Sequence, residues 1–289
     1  MEYDESEDNH VMKEESLTNR HLVLFFLLTF GIAWGIPGIG LLLSARIQGF
    51  EVSLEEYSPL SYLVIWSPAI STFVVIGIAQ GWAGVRAYAR RIVRWSGSWG
   101  WYAAVLVGVP SISLVSSALM EAIGQSGLVR PTTPLHIFLI VALLKGTEGP
   151  FEELGWRGFA LPLLQRRYSG LRSALILGFI WALWHVPGFF VASVMTGALE
   201  GGIVVVLLRF FAGTIATSVL MTTVYNGAQG SIPIVFLYHW LMNLPYPWEA
   251  RAGISVMQDV VGLALAVAAM VTLGRRYLGR ENLCTWISD

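Results

Sequence analysis

The sequence predicts an all-α fold, a polytopic transmembrane helix bundle of about eight spans. Hydrophobic residues make up 55% of the 289 positions and charged residues only 13%. A water-soluble domain typically carries about 25% charged residues. The apolar residues also gather into separate segments of about 20 residues, the length that an α-helix needs to cross the hydrocarbon core of a bilayer.

Eight such segments divide the chain. The fourth is unusually long and polar in its second half, and the seventh is short. The predicted spans are Leu22–Ser44, Leu60–Gln80, Trp99–Met120, Leu135–Leu164, Ser173–Met195, Ile203–Tyr225, Ser231–Leu244 and Gly253–Leu273.

Residues 1–20 differ from the rest of the chain because they are acidic and polar, the opposite of the positively charged start of a signal peptide. We expect a disordered, solvated cytoplasmic tail there, since a segment of low hydrophobicity and high charge cannot bury a core. Residues 21–280 form a single transmembrane domain in this interpretation, and the motifs described below lie between 147 and 244.

The distribution of basic residues predicts the orientation of this integral membrane protein, because cytoplasmic loops are enriched in Lys and Arg. With a cytoplasmic N-terminus and eight spans, twelve basic residues fall on the cytoplasmic side and three on the outer side. Both termini are therefore predicted to be cytoplasmic. The cytoplasmic group is Lys13, Arg20, Arg86, Arg90, Arg91, Arg94, Arg166, Arg167, Arg172, Arg275, Arg276 and Arg280. The outer group is Arg46, Arg130 and Arg251.

Charge and cysteine content exclude some classes of function. The net charge of -1 argues against a nucleic-acid partner, which requires a basic face. Cys284 is the single cysteine, so the chain forms no internal disulfide and no cysteine-based zinc site.

Charged side chains within the predicted spans concentrate in the fourth one. Charge at membrane depth costs about 2.5 to 3.5 kcal/mol per residue on translocon scales, so it indicates function. On a helix, Glu153 and Arg157 are four residues apart and share a face, in the order that favours an ion pair. Glu152 points about 100° away. It is left to take or release a proton, as a general base does.

Two histidines lie at comparable depth on later spans. Counted from the predicted cytoplasmic ends, Glu152, His185 and His239 lie roughly 18, 18 and 12 Å deep. Asn243 follows His239 by four residues and shares its helix face. We therefore expect these groups to meet in the cytoplasmic half of the bilayer, where a cavity open to the cytoplasm supplies water. The alternative is an interhelical hydrogen-bond network that only holds the bundle together.

Three motifs follow one another on these apolar helices: Glu152-Glu153-Leu-Gly-Trp-Arg157, Trp181-Ala-Leu-Trp-His185 and His239-Trp-Leu-Met-Asn243. In order and separation they resemble the motifs of the CAAX protease and bacteriocin-processing family of intramembrane proteases, which includes the type II CAAX prenyl endopeptidases. Trp181 stands where phenylalanine is more usual in that family. The resemblance covers about residues 147–244 and does not extend to the N-terminal spans.

The resemblance implies an intramembrane endopeptidase. In it, the first glutamate and first histidine activate water, while the second histidine and the asparagine stabilise the oxyanion. The residues carried over are the catalytic Glu152, His185, His239 and Asn243 and the supporting Glu153 and Arg157.

The sequence favours no cofactor. Zinc is the alternative, bound by Glu152, His185 and His239, because one Glu and two His can ligate it; an HExxH helix is absent. The partners expected are the lipid bilayer and a protein or peptide substrate, with prenylated CAAX tails as one candidate. A non-catalytic immunity or scaffold protein and a proton-coupled transporter are the alternative functions.

Overall fold

The structure, a computed structural model, describes residues 17–44, 46–47, 58–125, 133–195, 202–246, 248 and 254–285. Over these residues the regular secondary structure is helical throughout. The predicted acidic tail falls largely on residues 1–16, which lie outside the described residues, so its disorder stays a prediction.

The helices follow one another with short connections. In chain order they are α1 Asn19–Phe30, α2 Ile36–Ser44, α3 Pro59–Ile65, α4 Ser67–Ile92, α5 Trp99–Ala122, α6 Leu135–Gly146, α7 Glu152–Gly155, α8 Leu161–Gln165, α9 Gly170–Met195, α10 Ile203–Gly227, α11 Ile232–Met242 and α12 Ile254–Thr272. The π-helical turn Gly31–Gly35 joins α1 to α2, Trp156–Ala160 joins α7 to α8, and Gly274–Leu278 follows α12.

Within the described residues, five segments are long and apolar enough to cross a membrane. Two shorter apolar helices accompany them, α11 and the stretch Val256–Thr272. The polytopic helix bundle is therefore confirmed. The five long segments are Asn19–Gly40, Ser67–Ile92, Trp99–Ala122, Gly170–Gly188 and Ile203–Gly227.

The second predicted span differs from the structure in its continuity and at its C-terminal end. It is interrupted at Trp66, between α3 and α4, and α4 continues past Gln80 to Ile92. Gly81 lies within α4 with a φ of 60°, a conformation that glycine adopts without strain, and it bends the helix sharply. The rings of Phe73 and Tyr88, on either side of this bend, lie 5.5 Å apart.

The fourth predicted span, Leu135–Leu164, is not one continuous helix. Helix α6 ends at Gly146, a 3-10 turn covers Gly149–Phe151, and α7 begins at Glu152. Pro150 has no backbone N–H to donate, and its ring clashes with the carbonyl four residues earlier, so it disfavours a continuous α-helix through this point. The break sets Glu152 at the first position of a new helix within the bundle.

Both described ends of the chain lie at one end of the bundle, which we call the terminal end. The Leu17 carbonyl accepts a hydrogen bond from Arg166 Nη1 at 2.6 Å. Gln165 Nε2 donates to the Cys284 carbonyl at 3.1 Å and to Asn226 Oδ1 at 3.1 Å. These contacts hold the end of α8, the end of α10 and the C-terminal segment together.

Close packing fixes the backbone around Glu152. A Cβ atom on Gly155 would lie 2.4 Å from Pro68 Cβ, so α7 and α4 approach more closely than any larger residue allows. Trp156 is fully buried and its ring contacts Phe25 of α1 at 5.6 Å between centroids. The segment that carries Glu152 is therefore held in place by its contacts with α1 and α4.

Candidate active site

A cavity of about 680 Å³ lies among α3, α5, α9, α10, α11, α12 and the break before α7. Its wall includes each of the four predicted catalytic residues. They are Glu152, His185, His239 and Asn243.

Two indole groups hold the Glu152 carboxylate. Trp181 Nε1 donates to Glu152 Oε2 at 2.8 Å, and Trp156 Nε1 donates to the same oxygen at 3.2 Å. Glu152 as a whole is 3% exposed and contributes to the cavity wall. A carboxylate anchored through one oxygen presents the other to a reactant, which suits proton transfer.

Glu153 makes a different set of contacts, as the helix spacing predicted. Arg157 Nη1 lies 3.0 and 3.1 Å from its two carboxylate oxygens, and both side chains are fully buried. The Arg157 guanidinium also lies 4.4 Å from the Trp181 ring centre, a cation–π contact. The buried charge of this carboxylate is thus paired with a cation on its own helix segment.

The same carboxylate orients a histidine on α11. His239 Nδ1 lies 2.8 Å from Glu153 Oε1. A carboxylate accepts hydrogen bonds, so His239 donates from Nδ1 and turns Nε2 toward the cavity. A neutral imidazole in this tautomer has no hydrogen on Nε2. His239 can donate from Nε2 only when the His239–Glu153 pair holds one additional proton.

His185 is oriented by the backbone of its own helix. His185 Nδ1 donates to the Trp181 carbonyl at 2.8 Å, and since a carbonyl only accepts, Nε2 is left as an acceptor in the neutral ring. Trp181 therefore contacts both groups, Glu152 through its indole and His185 through its carbonyl. Its ring also packs against His185 at 5.6 Å between centroids.

Gly149 packs against the nitrogen atoms of two side chains on the cavity wall. A Cβ atom built on Gly149 would lie 2.6 Å from His239 Nε2 and 2.6 Å from Asn243 Nδ2. The backbone at the break before α7 therefore fits against both side chains, and only glycine leaves the space between them. Two neighbouring donors on the cavity wall can stabilise a developing oxyanion.

Zinc does not fit the arrangement of side chains. Over the residues that the structure describes, no group of three or more His, Cys, Asp or Glu side chains is close enough to hold a metal ion. We derive no step through a metal.

The cavity wall also includes polar residues that the sequence analysis did not select. Gln258 and Asp259 of α12 line it, and Asp259 Oδ2 pairs with Arg209 Nε at 2.9 Å. The sequence does contain a signal for Asp259, because an ionisable residue within an apolar span indicates a functional position. Trp156 had none, because an indole on a buried helix usually only fills space.

Comparison with known proteins identifies the family of the chain. The model of a family described as type II CAAX prenyl endopeptidase Rce1-like matches residues 131–245. The chain is also similar to the protein named CAAX prenyl protease 2 of Methanococcus maripaludis. The two are 31% identical over 190 residues, which cover 62% of this chain and 67% of that protein. The chain belongs to the type II CAAX prenyl endopeptidase family.

Membership of this family confirms that the chain is an intramembrane protease, a hydrolase embedded in the lipid bilayer. It favours neither the immunity or scaffold interpretation nor the transporter interpretation. The four predicted catalytic residues lie within the segment that the family model matches. Gln258 and Asp259 lie beyond it, so this part of the cavity wall is outside the matched segment.

Proposed function

We propose that this protein is an endopeptidase in which Glu152 activates a water molecule for attack on a peptide bond within the membrane. The observation that supports this most directly is the convergence of Glu152, His185, His239 and Asn243 on one cavity. Glu153 and Arg157 are supporting residues. Glu153 contacts His239, and Arg157 contacts the ring of Trp181.

The reaction proceeds through a tetrahedral intermediate. Water lies between the Glu152 carboxylate and His185 Nε2. Glu152 takes its proton as the oxygen attacks the scissile carbonyl carbon. When the His239–Glu153 pair holds one additional proton, His239 Nε2 and Asn243 Nδ2 donate to the carbonyl oxygen as it gains negative charge. The C–N bond then breaks, Glu152 returns the proton to the leaving amine, and a carboxylic acid and an amine are released.

The substrate is a protein or peptide, and a prenylated C-terminal tail is the first to test. The relative from Methanococcus maripaludis carries the name of a prenyl protease. The cavity also offers an apolar wall beside the polar groups. Its aliphatic and aromatic members include Val64, Ile65, Val109, Ile112 and Phe210.

We propose further that both termini are cytoplasmic. Among the described residues, many more arginines lie near the terminal end than beyond the opposite ends of the helices. The positive-inside rule predicts such an excess on a cytoplasmic face.

The test is cleavage of a farnesylated CAAX peptide by purified protein in detergent. We expect Glu152→Gln to abolish cleavage and Glu121→Gln, a change at an exposed residue of α5, to leave it unchanged. A strong zinc chelator distinguishes the metal-free mechanism from the zinc alternative. Loss of wild-type activity on chelation would overturn the metal-free mechanism. Activity retained by Glu152→Gln would overturn the role of this glutamate.

A further inference from the structure

The net charge of -1 combines two parts of the chain that carry opposite charge. Residues 1–16 contain seven acidic residues and one lysine. Residues 17–289 contain 12 acidic residues and 17 Lys or Arg residues, an excess of positive charge. Two of the acidic residues, Glu14 and Glu15, lie within three positions of Leu17, the first described residue.

Leu17 fixes the point from which this acidic segment extends. The residue is buried, and its carbonyl accepts the hydrogen bond from Arg166 Nη1 at 2.6 Å. The peptide chain is continuous, so residues 1–16 are attached to the terminal end of the bundle directly beside an arginine. This holds for either orientation of the protein in the bilayer.

Exposed arginines lie around the attachment point. Arg20 is in the first turn of α1, Arg167 follows Arg166, and Arg172 is in the first turn of α9. Arg280 Nη2 donates to the Arg167 carbonyl at 2.7 Å, so the C-terminal segment brings a further cation to the same place. We call these five residues the arginine surface: Arg20, Arg166, Arg167, Arg172 and Arg280.

The part of the chain that the structure describes leaves much of this positive charge unmatched. Among its residues, no carboxylate forms a salt bridge with Arg167, Arg172 or Arg280. The carboxylates of its salt bridges belong to the bundle interior and to α12. Like charges that are held close together repel one another, and a nearby anion relieves this repulsion. The arginine surface therefore favours an acidic partner.

We infer that residues 1–16 dock on the arginine surface and neutralise it, so that the acidic segment is an intramolecular ligand of the terminal end. Glu14 and Glu15 are within about 10 Å of Leu17 along the chain, and Asp8 within about 32 Å of it, at roughly 3.5 Å per extended residue. Unlike charges attract over about 10 Å at 0.1 M salt. This attraction requires no regular secondary structure in the segment. The inference rests neither on the protease chemistry nor on the orientation of the termini.

Anionic lipid headgroups are the competing occupant, because clustered arginines also bind them. Attachment at Leu17 favours the acidic segment. A ligand on a short flexible linker has an effective concentration in about the millimolar range, and it brings several carboxylates at once. The docked segment would then keep lipid phosphates away from the arginine surface.

The test measures the motion of residue 6 in the full chain. Ser6→Cys in a Cys284→Ser background provides one site for an uncharged fluorophore, because Cys284 is the single cysteine. Time-resolved fluorescence anisotropy distinguishes the fast motion of a free segment from the slow tumbling of the whole particle. Arg167→Glu is compared with Arg46→Glu, which makes the same change at another exposed arginine. Arg46 follows α2, and roughly 39 Å of helix separates it from the start of α1.

In nonionic detergent at low salt, we expect a slow component that falls about twofold or more in Arg167→Glu and in 1 M NaCl, where charges are screened beyond about 3 Å. Arg46→Glu should leave the slow component unchanged. Equal values in the two variants, or fast motion alone in the parent at low salt, would overturn the inference.

Nanodiscs distinguish the acidic segment from lipid headgroups as the occupant. We expect the slow component in phosphatidylcholine nanodiscs to persist when phosphatidylglycerol is included. Its loss on inclusion of phosphatidylglycerol would assign the arginine surface to lipid headgroups and overturn the inference. No substrate is present in these measurements, so their outcome is independent of the peptide-cleavage assay.

Discussion

The Trp181 indole N–H donates to Glu152 Oε2 at 2.8 Å, so the first residue of the second motif holds the candidate catalytic carboxylate directly. The Trp156 indole donates to the same oxygen at 3.2 Å. A hydrogen bond to a charged group contributes about 1.5 to 3 kcal/mol. Trp181 of α9 thus helps to fix the position of the Glu152 carboxylate, which belongs to α7.

Trp181→Phe removes this donor and keeps an aromatic ring. We expect kcat/KM for peptide cleavage to fall about tenfold, because the carboxylate then has one indole donor and a wider range of positions. Trp240→Phe is the matched control, since it removes an indole that donates to the Ala142 carbonyl at 2.7 Å and does not line the cavity. Equal losses in the two variants would contradict a specific role for the contact with Glu152.

Gly149→Ala tests whether His239 and Asn243 act as a pair of donors. The new Cβ would lie 2.6 Å from a nitrogen of each side chain, so both side chains must move away from position 149. Loss of one oxyanion donor costs about a hundredfold to a thousandfold in kcat, and we expect a loss in this range. Gly108→Ala on α5 is the control, because nothing lies within 4 Å of its Cβ position. Near-normal kcat in Gly149→Ala would contradict the proposed oxyanion site.

Helix periodicity accounts for the features that could be predicted from the sequence. A separation of four residues places Glu153 and Arg157 on one face whatever else surrounds them, and the structure contains that pair at 3.0 Å. The apolar segments predicted the bundle for a second reason. The thickness of the bilayer sets the length of each helix that crosses it.

Contacts between helices could not be predicted in this way. The bonds from Trp181 to Glu152 and from His239 to Glu153 depend on how α9 and α11 are rotated against α7, which spacing along one helix does not fix. The close fit of Gly149 depends on the break before α7, although Pro150 indicated that a continuous helix was unfavourable there.

Substitutions of Glu152 and of Glu153 should differ in their effect on the stability of the fold, although both should abolish cleavage. Glu153→Gln leaves the buried Arg157 without its counterion, and breaking a buried pair by removing one partner costs about 3 to 5 kcal/mol. Glu152→Gln retains an acceptor for the two indoles and leaves no such charge. We expect both variants to lose cleavage but only Glu153→Gln to unfold at a clearly lower temperature in detergent. Similar unfolding temperatures for the two variants would contradict the structural role of the Glu153 carboxylate.

Cys284 should react slowly with alkylating reagents at neutral pH. Burial raises the pKa of its thiol to about 11, and the thiolate is the reactive form. A raised pKa shifts thiolate formation to higher pH, so the rate of alkylation by iodoacetamide should rise about tenfold per pH unit from 7 to 10. In the Cys284→Ser background, the exposed thiol of Arg94→Cys should instead approach its full rate near pH 9, as an unperturbed cysteine does. If the rate for Cys284 also levelled off near pH 9, the C-terminal segment would not be packed against Asn226 and Gln165 in the detergent-solubilised protein.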